Sequence, residues 1–163
     1  MLQKKQKNFE KTVILDPAPV PKEFPEELYR YIDIIKPNET ELGMLTGIDN
    51  PEQRLKEAVD CLKKKGVKDV LVTLGDKGVY LEDKNSETER IPAMKVQAVD
   101  TTAAGDSFTA ALAIMLAEGK SLREAAIFAN YVSAIVVTRK GAQSSIPTLE
   151  EVKRYIEQKE MAV

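Results

Sequence analysis

The chain contains no histidine among its 163 residues and a single cysteine, Cys61. The first absence excludes Ser-His-Asp and Cys-His catalysis and the usual zinc hydrolase sites. The second excludes an internal disulfide and a cysteine-built zinc site. Any general base must then be a carboxylate, a lysine, a tyrosine or the thiol. No apolar run approaches the length of a membrane span. The lead, Met1 to Lys11, is polar and lysine-rich and lacks the apolar core of a signal peptide. Basic excess is missing too: the formal net charge of −2 leaves no electrostatic footprint for nucleic acid or an anionic membrane. Together these point to a cytoplasmic protein with neither kind of partner. The length suffices for one domain with a core, and 1–163 is read as a single domain.

What is present alternates. Thr12 to Leu15, Tyr31 to Ile35 and Val70 to Leu74 are continuous apolar runs, ended by Asp16-Pro17, Lys36-Pro37 and Gly75. Continuous runs fit strands buried on both faces. Val79 to Leu81 and Glu89 to Ile91 flank a polar stretch and read as a hairpin at the sheet edge. Helices fall between and after these runs. Asn50 is expected to cap a helix with Pro51 at its first position and Gln53 completing a capping box. Leu55, Ala58, Val59 and Leu62 form that helix's apolar face, Cys61 is inert packing, and Lys63 to Lys65 form a solvated end before Gly66. Ser121 with Glu124, and Thr148 with Glu151, open two more helices. Alternating strands and helices imply an α/β fold with a mainly parallel sheet, whose ligands bind at the carboxyl ends of the strands.

One segment stands out: Asp100-Thr101-Thr102-Ala103-Ala104-Gly105-Asp106-Ser107-Phe108. It follows a strand-like run, Val96 to Val99, and opens a helix whose apolar face is Phe108, Ala111, Leu112, Met115 and Leu116. Small residues at a helix start leave unpaired N–H groups open to an anion, and the helix dipole favours a phosphoryl group there. A carboxylate at the same place can take a proton from an attacking hydroxyl. These are the main needs of phosphoryl transfer. Alternatively, Asp106 is simply a helix cap or a first-turn acid. Asn38 with Glu41 likewise reads as a cap pair, Thr73 to Gly75 as a strand-ending turn, and Arg139-Lys140 as a solvated surface pair.

The nine-residue string resembles a signature of the ribokinase-like carbohydrate kinase family, of the phosphofructokinase-B type. Asp16-Pro17-Ala18-Pro19, Pro37 to Glu41, Thr73 to Gly78 and Thr138 to Gln143 resemble further blocks of that family, in its order. The resemblance implies a Rossmann-like sheet flanked by helices, truncated on its N-terminal side, without the sugar-gripping part and lid. It implies ATP, magnesium and potassium, and a sugar substrate, with ribose favoured over fructose, adenosine, 2-keto-3-deoxygluconate or hydroxymethylpyrimidine. Asp106 would be the base, and the amides of Ala103, Ala104 and Gly105 the anion hole. Asn38 and Glu41 would position phosphates and the magnesium shell. Thr73, Gly75, Lys77 and Gly78 would line the nucleotide, with Asn130 near its base. Asp100, Thr102, Val136, Arg139, Gly141 and Ser145 would hold potassium, mostly through carbonyls. The implied truncation leaves a sheet edge open to self-association. It also keeps two other readings open: a nucleotide-binding remnant, and a fragment complementing a separate N-terminal half.

Overall fold

The computed structural model describes residues 11–161. The lysine-rich lead read from Met1 lies, but for Lys11, outside the described residues. The chain divides into two compact units, Met1–Ile91 and Pro92–Val163.

The first unit holds a five-stranded sheet in the order β1 (Ile14–Leu15), β2 (Ile34–Ile35), β3 (Asp69–Thr73), β4 (Val79–Glu82), β5 (Thr88–Ile91). β1, β2 and β3 run parallel, with Ile35 opposite Leu15 on one side and Val70 on the other. β4 and β5 then turn antiparallel. The α/β expectation holds, and the expected hairpin makes the sheet mixed rather than mainly parallel. Two helices accompany it, α1 (Glu39–Thr46) and α2 (Leu55–Lys64). The apolar face expected for α2 is the buried one: Leu55, Ala58, Val59 and Leu62 join Leu42, Leu45, Val70, Val72 and Leu74 in one cluster. Cys61 is half-buried beside that face.

Two local expectations fail here. Asn50 sits in the left-handed region at φ 51° and makes no side-chain cap. The Gln53 N–H is met by the Asn50 backbone oxygen instead, at 3.0 Å. Pro51–Arg54 forms a 3-10 turn instead, and α2 starts four residues late, at Leu55. Val96 to Val99, expected to be strand-like, forms no strand. Val99 is exposed, and the N–H groups of Val99 and Asp100 both donate to Val137 O, at 2.7 and 3.2 Å, rather than to a neighbouring strand.

The second unit is helical: α3 (Ala104–Ala117), α4 (Leu122–Val136) and α5 (Leu149–Glu160). α3 and α4 pack along each other, burying Phe108, Ala111 and Leu112 from one and Ala125, Ala126 and Ala129 from the other. The rings of Tyr131 and Tyr155 meet edge to face between α4 and α5, 6.2 Å apart. Among the described residues no helix is long and apolar enough to cross a membrane.

Candidate active site

In the first unit the expected residues gather at the carboxyl ends of β2 and β3. Thr73 N–H donates to Pro37 O at 3.0 Å, and Asn38 and Thr73 form a parallel bridge just past the two strands. α1 begins at once. Asn38 Oδ1 accepts the Glu41 N–H at 2.9 Å and Glu41 Oε2 accepts the Asn38 N–H at 2.9 Å, a complete capping box. The two residues that the resemblance assigns to phosphates and magnesium thus satisfy each other's backbone. After Thr73 the chain closes a tight turn: Leu74 N–H donates to Gly78 O at 2.8 Å. Gly78 lies at φ 92°, ψ −131°, a region essentially restricted to glycine. Gly75 and Lys77 are exposed on that turn. Lys77 Nζ pairs with Glu52, and this hydrogen bond raises the lysine's pKa above its ordinary value.

Sequence reasoning missed two buried charges in this unit. Lys36, 3% exposed, pairs with Asp16 Oδ2 at 3.0 Å, joining the turn after β1 to the end of β2. Glu82, fully buried, receives Lys56 Nζ at 3.2 Å. Neither pair has a local pattern in the chain, so no short motif could have revealed it.

In the second unit Asp106 stands exposed in the first turn of α3. It is a first-turn acid and not the cap; Ala103 holds the cap position, at φ 63°, with no side-chain hydrogen bond. Of the three amides expected to face an anion, that of Ala104 donates to Thr101 O at 3.2 Å. Among the described residues the N–H groups of Gly105 and Asp106 donate to nothing. Ser133 Oγ from α4 donates to Ala104 O at 3.1 Å and steadies this helix start from behind.

Asp100 ties the segment before α3 to the loop after α4. Its Oδ1 accepts the Thr102 N–H at 2.9 Å and its Oδ2 the Gly141 N–H at 2.9 Å. Hydrogen bonds from the Thr102 side chain, then from the Gly141 and Thr102 amides, lower its pKa to about 2. Gly141 is left-handed at φ 89°, and a Cβ there would meet Ser144 Oγ at 2.6 Å. Ser145 is fully buried, with Oγ donating to Ala142 O at 2.6 Å. Val136 closes α4, fully buried, and Arg139 follows; the Arg139 side chain is not a free solvated group but reaches Glu151 Oε1 at 2.7 Å. The hydrogen bond from Arg139 lowers the Glu151 pKa. This neighbourhood offers one carboxylate and backbone carbonyls. No group of three or more His, Cys, Asp or Glu that could hold a metal exists among the described residues. Such a donor set suits a hard cation and not a soft transition metal. Asn130 is buried on α4, its Nδ2 donating to Pro92 O at 2.7 Å.

Comparison with known proteins gives the chain's family. A family model described as "pfkB family carbohydrate kinase" matches residues 1–149. The ribokinase of Haemophilus influenzae is 45% identical over 146 residues, covering 89% of this chain and 47% of that protein. The ribokinase of Staphylococcus aureus is 46% identical over 145 residues, covering 88% and 47%. The solved structure of Arabidopsis thaliana ribokinase complexed with ribose and ATP matches with a TM-score of 0.90 at 39% identity, covering 96% of this chain and 51% of that one. The chain spans about half the length of the curated relatives it matches.

Proposed function

The chain belongs to the pfkB family of carbohydrate kinases, and from that premise we propose that it serves transfer of the γ-phosphoryl group of ATP to a hydroxyl of ribose. The observation that carries this reading is the start of α3, where an exposed carboxylate, Asp106, shares a helix turn with N–H groups left without partners. Asp106 takes the proton of the attacking hydroxyl as its oxygen bonds to the γ-phosphorus, while the bond from that phosphorus to the bridging oxygen breaks and ADP leaves. The amides from Ala103 to Gly105 face the transferred group, where negative charge is densest. For Ala104 this requires its long bond to Thr101 O to yield.

In the first unit, Thr73, Gly75, Lys77 and Gly78 line the nucleotide, and the exposed lysine supplies charge to its phosphates. Asn38 and Glu41 orient phosphates and the water shell of magnesium. Asp100, Thr102, Val136, Arg139, Gly141 and Ser145 fit potassium by their oxygen chemistry. Bound magnesium and potassium supply positive charge that lowers the cost of gathering phosphate oxygens.

A thermal-shift titration of the purified chain with Mg·ATP, in potassium or in sodium, tests the nucleotide part, since a ligand bound only by the folded state raises its melting point. Ribose-dependent release of ADP tests the transfer. A rise in melting point with no ribose-dependent ADP would leave a nucleotide-binding remnant, or a fragment that needs a complementary chain. Neither signal at millimolar nucleotide would refute the proposal.

A further inference from the structure

We propose that Glu151 is a positioning residue for the cation site of the second unit, acting through the side chain of Arg139. The inference rests on the reading of Asp100 to Ser145 as a monovalent-cation site and adds a residue that reading does not contain.

Carbonyl ligands are aimed by the backbone, so whatever holds the 139–145 backbone sets the site. One hold is the Gly141 N–H on Asp100 Oδ2 at 2.9 Å. A second is internal: Ser145 Oγ on Ala142 O at 2.6 Å, with Ser144 Oγ on Lys140 O at 3.0 Å. The segment's first residue, Arg139, is held differently. Its N–H closes on Val136 O at 3.0 Å, and its guanidinium reaches forward to Glu151 Oε1 at 2.7 Å. Glu151 is itself immobilised before it pairs. Its Oε2 accepts the Thr148 N–H at 2.8 Å, and its own N–H donates to Thr148 Oγ1 at 3.3 Å. Each carboxylate oxygen thus has one task, capping α5 or holding Arg139. A carboxylate already fixed by its helix loses little further freedom on pairing. The two side chains are about one-third exposed, 35% and 36%. Ion pairs at such exposure add little to global stability. What this pair can do is fix where the 139–145 segment begins.

The test uses the full chain with Mg·ADP, titrated with potassium chloride against sodium chloride at constant ionic strength. The readout is the potassium concentration that gives half of the thermal shift. Glu151→Gln keeps an oxygen for the capping box and removes the charge that Arg139 needs; Arg139→Met removes the other partner. Each is expected to raise the half-saturating potassium about tenfold, as loss of an outer-shell partner does at metal sites. The double variant is expected to be no worse than either single, since the two act as one unit. Arg139→Lys, which keeps the charge, is expected to recover part of the loss, and Glu150→Gln to change nothing. Variants that lower the melting point in sodium while leaving half-saturating potassium unchanged would overturn the proposal, because the pair would then be only structural. An unsubstituted chain with no potassium response would overturn the cation reading itself, and this inference with it.

Discussion

One helix of each unit, α1 in the first and α3 in the second, opens in an opposite way. In the first, α1 starts at the end of a parallel strand and closes its exposed amides with Asn38 and Glu41, each accepting the other's N–H. In the second, α3 starts on Ala103, which has no side chain able to cap and stands in the left-handed region. For a residue with a Cβ that conformation costs roughly 1–2 kcal/mol. The second unit can build caps: Ser121 with Glu124 and Thr148 with Glu151 both form complete boxes on α4 and α5. Within the second unit the bare start therefore belongs to α3 alone. A strained residue beside unpartnered donors is a pattern found where a ligand completes the structure, which is why the proposed chemistry sits at α3 and supporting roles fall to α1.

Substitutions can break or sharpen this contrast. The largest effect is expected at Asp106. If the chain turns over ribose, Asp106→Asn should lower ribose-dependent ADP formation about a hundred- to ten-thousand-fold, with the melting point nearly unchanged because the side chain is exposed. A retained rate would detach the base from α3. Gly141→Ala forces a Cβ into the left-handed region and into Ser144 Oγ at 2.6 Å. It should cost more than about 1 kcal/mol by urea unfolding, so an unchanged midpoint would show that the loop yields. Asn38→Ala removes one side of the α1 box and should cost about 1 kcal/mol. Ala103→Gly, the matching change at α3, relieves strain while loosening the unfolded chain, and should shift stability by less than about 1 kcal/mol. Equal losses at the two sites would erase the contrast.

The smallest effect is one of pH. The Asp100 carboxyl ionises at about 2 in the folded chain against an ordinary 3.8. Its contribution is complete above the ordinary value and is lost as pH falls from there toward 2. The amide signals of Thr102 and Gly141 should therefore hold steady down to about pH 4 and move only below it. Movement nearer neutrality would mean that Asp100 does not hold both amides.

Much of this was legible in the chain because it is local. A capping box needs residues three apart, and Asn38, Ser121 and Thr148 all formed the boxes their spacing allows. The apolar face of α2 follows from helical periodicity and is buried as expected. The same kind of reasoning failed at Asn50, where the residue types fit a cap but the residue is left-handed and its side chain caps nothing. It failed again at Val96 to Val99, since a strand needs a partner and the amides of Val99 and Asp100 found the end of α4 instead. Arg139, for which a solvated surface pair was one of two readings, has its side chain on Glu151 twelve residues on.

The sequence by itself determined the α/β character of the chain, its kinase family, and the helix start on which small residues stand beside an acid. Each is written in neighbouring residues, through periodicity, turn chemistry and contiguous motif. Tertiary structure alone decided that Lys36 is buried against Asp16 and that Asp100 holds an amide 41 residues away. It alone decided that Glu151 holds Arg139. These are pairings between charges and donors far apart in the chain, and only folding decides which of many candidates come within hydrogen-bond reach.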